Sequence, residues 1–177
     1  MDHYSFARDF RKVYDAAVAR FAAGQRDAAT LLTDEERRFI SANGLTVQNF
    51  LDYAEDHHGY GGEPGPDQAL AIELVRRDYF LSAQGGRPSA TVLNEASLPA
   101  KTDAVRGIAW LPRLLPKAKA KLRGELPPSL MYGCGGDRRF FREHNILPAE
   151  FLTLTWRHEN DPAAIIDWVV RRQAEAR

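Results

Sequence analysis

Cysteine, net charge and long apolar runs are nearly or wholly missing from this sequence. Cys134 is the only cysteine in 177 residues, which excludes an internal disulfide and a cysteine-rich zinc site. The 24 Lys and Arg residues balance the 24 Asp and Glu residues, so the overall charge favours neither nucleic acid nor an anionic membrane surface. The longest stretch without a charged residue, Phe39–Leu51, is far shorter than the ~20 apolar residues of a membrane-spanning helix. We therefore expect no nucleic-acid partner and no membrane segment.

The remaining composition is that of a globular protein. Apolar residues make up 44% of the chain and charged residues 27%, enough to bury a core while keeping a charged surface. The amino-terminal residues include Asp2, Arg8, Asp9, Arg11 and Lys12, which is unlike a secretory signal. The sequence therefore predicts a cytoplasmic protein.

Apolar residues recur at helical spacing along nearly the whole chain, which indicates an all-α fold. Thr33 and Glu36 match a capping box, and Asn43-Gly44 is a helix stop. Pro148 and Asp161-Pro162 are typical of helix starts. The predicted core consists of large apolar residues on these helices: Phe10, Tyr14, Phe21, Phe39, Phe50, Leu74, Leu111, Leu115, Leu122, Phe140, Phe151 and Trp168.

The two halves of the chain match under one shift of 101 residues as far as the loop 57–66, which breaks the register. The apolar stripe from Phe10 to Phe21 meets an apolar stripe from Leu111 to Leu122, and Arg37-Arg38-Phe39 meets Arg138-Arg139-Phe140. We expect two diverged helical repeats, 6–84 and 107–175, joined by a connector, 85–106. Each repeat is small, so the two are expected to pack as one globular domain.

The second half resembles a known bacterial family. The segments GIAWLPRLLPKAKAKLRGEL, MYGCGGDRRFFREHNILPAEFL and DPAAIIDWV cover about residues 107–170 and are similar to the domain of unknown function 5069 family. The family pattern has an aspartate at the position of Pro116, and Asp15 occupies the matching position in the first half. The resemblance implies a fold unit and no specific activity.

A metal site is one interpretation of the segment before the loop 57–66. Glu55 and His58 have the Glu-x-x-His spacing that puts both side chains on one helix face, and His57 is adjacent. The alternative is a solvated helix end, where histidines favour the negative end of the helix dipole.

A thiol or anion site is one interpretation of the turn before the helix near Asp137. The helix is expected to start at Asp137, Cys134 and Gly135 lie in the turn just before it, and Arg113, Arg138 and Arg139 could add positive charge. The alternative is a tight turn with a small buried cysteine, in which the Asp137 carboxylate occupies the amides itself.

Two classes of function follow from these patterns. The first is a non-catalytic module that binds a small ligand, anionic at the predicted turn, or a protein partner. The second is a small enzyme with a polar site expected between the repeats, using Cys134, Asp15 or His57, with His57, His58 and Glu55 as the metal-binding alternative. The sequence identifies no reaction, cofactor or oligomeric state.

Overall fold

The computed structural model describes residues 3–175 and divides into two compact units, one ending at Arg87 and one beginning at Pro88. The fold is mainly helical, as predicted. Among the described residues, strand structure is limited to one hairpin, β1 Ala104–Val105 paired antiparallel with β2 Ile108–Ala109. Thr91–Leu93, in the segment between the two units' helices, forms no strand. No helix in the described part of the chain is both long and apolar enough to cross a membrane.

The first unit is a set of helices gathered around a central α1. Helix α1 contacts α4 and α5, and α2 contacts both α1 and α4. Helix α5 continues directly into a π-helical turn, Tyr79–Ala83. The helices are α1 Phe6–Ala22, α2 Ala28–Leu31, α3 Asp34–Ala42, α4 Val47–Gly59 and α5 Pro66–Asp78.

Local capping sets the starts of α3 and α4. The Thr33 hydroxyl accepts the Glu36 amide and the Glu36 carboxylate accepts the Thr33 amide, so the predicted capping box is confirmed. Thr46 caps α4 in the same way, with Asn49 as its partner. Asn43 is the C-cap of α3, and Gly44 follows with a φ of 73°.

The core of the first unit contains charged residues as well as the aromatic residues of α1 and α4. Leu74 was predicted to be buried, but 38% of it is exposed. The buried face of α5 instead carries Ala69, Ile72, Glu73, Arg76 and Arg77. The prediction that Leu74 belongs to the core was therefore wrong, because a different face of α5 is the buried one.

Within the described residues, the second unit contains four α-helices. Helix α6 contacts α8 and β1, and α8 contacts α9. Asp161 caps α9, with its carboxylate accepting the Ala164 amide at 3.1 Å. The helices are α6 Leu111–Arg123, α7 Gly135–Glu143, α8 Pro148–Arg157 and α9 Pro162–Glu175.

The second unit also departs from the predicted core. Leu111, Leu122, Phe140 and Phe151 are buried as predicted. Leu115 and Trp168 are only half-buried, as is Phe39 in the first unit. Two lysines of α6, Lys117 and Lys121, are instead almost fully buried.

Candidate functional site

A cavity of about 430 Å³ lies in the second unit, between α6, the end of α8 and the start of α9. Its apolar lining comes from α6 and α9, and its polar lining comes mostly from the segment that follows α8. The apolar residues are Leu115, Pro116, Pro162 and Ile165, and the polar ones are Lys119, Thr155, His158, Glu159 and Asn160.

Two of the polar groups in the cavity lining are already engaged. The Glu159 carboxylate accepts hydrogen bonds from the Arg123 guanidinium at 2.6 and 2.7 Å. The Thr155 hydroxyl donates to the Phe151 carbonyl at 2.8 Å. The acidic group beside the cavity is therefore neutralised by a neighbouring cation.

Two donors of the lining keep hydrogen-bonding capacity. The Lys119 ammonium donates to the Glu159 carbonyl at 3.1 Å, which uses one of its three N–H groups. The His158 imidazole has no hydrogen-bond partner within residues 3–175. The lining thus offers donors toward an oxygen-bearing ligand.

A second polar cluster in the same unit surrounds the turn before α7. The Lys117 ammonium lies 2.7 Å from Asp137 Oδ2, and the other oxygen of Asp137 accepts the Trp110 indole N–H at 2.9 Å. The Gly133 amide also donates to Oδ2, at 2.9 Å. Because this carboxylate is fully buried and has three donors, it fixes the turn to α6.

Trp110 is held in a left-handed conformation, with a φ of 71°. Bulky residues rarely adopt this region, so surrounding contacts must stabilise it. Its indole packs so closely on Gly136 that an added Cβ there would lie 2.5 Å from the ring. Glycine at position 136 is therefore required by this packing.

Cys134 lies at this turn, as predicted, and caps α7 without a side-chain hydrogen bond to the helix. Helix α7 begins at Gly135, two residues before the predicted start at Asp137. The Lys117 ammonium is 3.2 Å from Cys134 Sγ. A thiol role for Cys134 stays a prediction.

The three predicted anion-binding arginines each have a different contact. Arg138 is buried and donates to the Gly133 carbonyl at 2.7 Å, so it holds the turn from inside. Arg113 donates to the Pro99 carbonyl at 3.0 Å, and Arg139 is exposed, 3.9 Å from Glu143. An anion site formed with Gly135 at this turn stays a prediction.

The histidines of the first unit are engaged in packing. His57 Nδ1 lies 3.1 Å from the Tyr14 hydroxyl, while the His58 ring stacks on Phe21 and its Nε2 lies 3.1 Å from the Val18 carbonyl. Within residues 3–175, no set of three or more His, Cys, Asp or Glu side chains is placed so that it could hold a metal ion. Metal binding by these two histidines with Glu55 therefore gains no support from their placement.

Asp15, the third predicted catalytic residue, lies on the exposed side of α1. Its carboxylate accepts hydrogen bonds from Arg11 one turn earlier, at 3.2 Å. Burial, followed by the nearby charge of Asp15, raises the pKa of Tyr14 to about 12. Tyr14 is therefore a neutral hydrogen-bonding group at ordinary pH.

The sequence predicted Cys134 and its turn, but it did not predict the cavity. Leu115 was placed in the core, and no predicted site included His158. One sequence signal could have indicated the cavity. His158 lies 101 residues after His57, but position 115, which lies 101 residues after Tyr14, is not a tyrosine.

Comparison with protein-family models, curated proteins and solved structures found no match to this chain. The resemblance of residues 107–170 to the domain of unknown function 5069 family therefore remains a proposal.

Proposed function

We propose that this protein is a binding module for a small, largely apolar molecule that occupies the cavity of the second unit. The observation that carries the proposal is the cavity itself, at about 430 Å³. Small-molecule sites are typically concave, roughly 300–1,000 Å³ in volume, and apolar with a few placed polar groups. The cavity between α6, α8 and α9 has this size and this mixed lining.

We also propose that the two units are diverged copies of one helical repeat. Helices α3 and α7 both have nine residues and begin 101 residues apart. Gly44 and Asn145, which follow their last turns, both have positive φ values, 73° and 52°. The amides of Leu45 and Ile146 close the two helix ends with equivalent bonds, to Ile40 and Phe141. These features support a common origin, which remains part of the proposal.

Toluene is a suitable first probe, because it is small and apolar and has no hydrogen-bonding group. Titrated into ¹⁵N-labelled full-length protein, it should give saturable amide shifts at cavity-lining positions such as Lys119, Glu159 and Ile165. Leu115→Phe should fill the cavity and abolish these shifts.

Leu147→Phe is the matched control, because Leu147 is 69% exposed and outside the cavity lining. This variant should retain the wild-type titration. Shifts that never saturate, or that persist unchanged in Leu115→Phe, would contradict the proposed function.

A further inference from the structure

The first unit contains a tyrosine where the cavity of the second unit has a leucine. Tyr14 and His57 lie 101 residues before Leu115 and His158, and α1 and α6 end at positions with the same spacing, Ala22 and Arg123. Tyr14 is 2% exposed, whereas Leu115 is half-buried and lines the cavity. The matched positions therefore differ in what fills the space beside the histidine.

The contacts of Tyr14 show which chemistry suits that space. Its hydroxyl donates to the Pro64 carbonyl at 2.5 Å and lies 3.1 Å from His57 Nδ1. Since the hydroxyl proton is used on Pro64, the His57 ring N–H donates to the phenol oxygen. A phenol is thus held between an imidazole donor and apolar packing.

At the position that matches Tyr14 the second unit has no phenol, and its connection from α8 to α9 is shorter than the connection from α4 to α5. Leu115 carries no hydroxyl group. Residues 60–65, which connect α4 to α5, include the Pro64 that contacts Tyr14, whereas the connection from α8 to α9 spans only residues 158–161. The residues His158, Glu159 and Asn160 of this shorter connection line the cavity.

The polar groups of the cavity complement a neutral or partly negative oxygen. His158 and Lys119 are donors, and the only carboxylate in the lining, that of Glu159, is paired with Arg123. These groups favour an oxygen acceptor and disfavour a cationic ligand.

We propose that the ligand of this cavity is a small phenol, whose oxygen accepts a hydrogen bond from His158 and whose ring packs against Leu115, Pro162 and Ile165. The inference rests on the proposed function, because it assigns the ligand class of the same cavity. An apolar cavity of about 150 Å³ is enough to bind benzene, so about 430 Å³ accommodates a substituted ring.

The side-chain analogues of tyrosine and phenylalanine distinguish a cavity that binds phenols from a cavity that binds any small apolar molecule. The probes are 4-methylphenol and toluene, titrated into full-length wild type and His158→Leu with amide shifts as the readout. His158→Leu should weaken 4-methylphenol binding about tenfold, the loss expected for one hydrogen bond, and change toluene binding less than about twofold. Arg157→Leu, an exposed neighbour outside the lining, should change neither.

A second variant introduces a phenol side chain into the cavity lining, at position 115. Leu115→Tyr should abolish 4-methylphenol binding and shift the His158 imidazole nitrogen signals, while the thermal midpoint shows whether the fold is retained. If Leu115→Tyr fails to fold, the His158→Leu comparison decides the question alone.

The possible failures are distinguishable. If toluene saturates the cavity but His158→Leu weakens both probes equally or neither, the cavity binds small molecules and the phenol assignment is wrong. If hexanoate binds more tightly than 4-methylphenol and Lys119→Met removes that preference, the ligand is a carboxylate and the phenol assignment is overturned. If neither aromatic probe saturates in the wild type, the proposed function fails as well.

Discussion

The ammonium group of Lys117 lies 2.7 Å from a carboxylate oxygen of Asp137, and both side chains are almost completely removed from solvent. The pair joins the middle of α6 to the first turn of α7. Trp110 and Gly133 donate to the same carboxylate, so the charge of Asp137 is fully compensated. The second unit therefore organises its turn around an ion pair.

Breaking this pair should strongly destabilise the second unit. Lys117→Met leaves the Asp137 carboxylate buried without its cation, which should cost about 3–5 kcal/mol of unfolding free energy. All three tryptophans, Trp110, Trp156 and Trp168, lie in this unit, so urea unfolding followed by tryptophan fluorescence reports on it selectively. The control Arg139→Met removes an exposed cation of α7 and should change stability by less than about 0.5 kcal/mol. Equal effects of the two substitutions would refute the role of the pair.

Position 136 should not tolerate a side chain. In Gly136→Ala the new Cβ would lie 2.5 Å from the Trp110 ring, so the indole must move and its bond to Asp137 is weakened. We expect a loss of about 1–3 kcal/mol and a changed tryptophan emission spectrum. Gly59→Ala is the control, because this helical glycine has nothing within 4 Å of an added Cβ. Its stability should stay the same or rise slightly.

Glu36 should make the first unit sensitive to acid. Burial alone would raise the pKa of Glu36, but hydrogen bonds from Arg20 and Thr33 outweigh it and lower the pKa below its ordinary value of 4.5. The stabilisation is therefore present above about pH 4.5 and is lost as the pH falls through the folded-state pKa.

The measurement for Glu36 is a comparison of wild type and Glu36→Gln by urea unfolding and far-UV circular dichroism. The wild type should be about 1 kcal/mol more stable at pH 7, and this difference should shrink as the pH falls below about 4.5. Glu35→Gln removes an exposed carboxylate from the same helical turn and serves as the charge-matched control. A difference between wild type and Glu36→Gln that is independent of pH would contradict the prediction.

Tyr53 should be required to keep Glu73 in the core of the first unit. Its hydroxyl donates to Glu73 Oε1 at 2.6 Å, and Glu73 is 0% exposed. Burial, followed by the charge of Glu73, raises the pKa of Tyr53 well above its usual value, so the hydroxyl stays protonated. Tyr53→Phe removes this donor and should cost about 1–3 kcal/mol in urea unfolding. Tyr60→Phe, at an exposed position, should cost almost nothing.

Helix ends were the most predictable feature of this chain. The Thr33–Glu36 capping box, the stop at Asn43-Gly44 and the start at Pro148 all appear where the sequence places them. Each depends on groups within a few residues of one another, so the sequence pattern contains nearly all of the interaction.

The burial of charged groups was not predictable in the same way. Hydrophobic periodicity placed Leu74 in the core, yet Glu73 and Arg76 are buried and Leu74 is 38% exposed. Lys117 of α6 is likewise buried, and its partner Asp137 comes from another helix. A buried charge is stable only when a distant segment supplies its partner, and spacing along one helix does not contain that information.

The candidate site also combines features that the local sequence predicts with features that only tertiary packing decides. The sequence by itself determined the helices, their caps and the position of Cys134 at the turn before α7. Only the tertiary structure decided that Leu115 lines a cavity with His158, because this outcome depends on how α6 packs against α8 and on the short connection to α9. Caps are formed between neighbours in the chain, whereas a cavity is the space that distant helices leave between them.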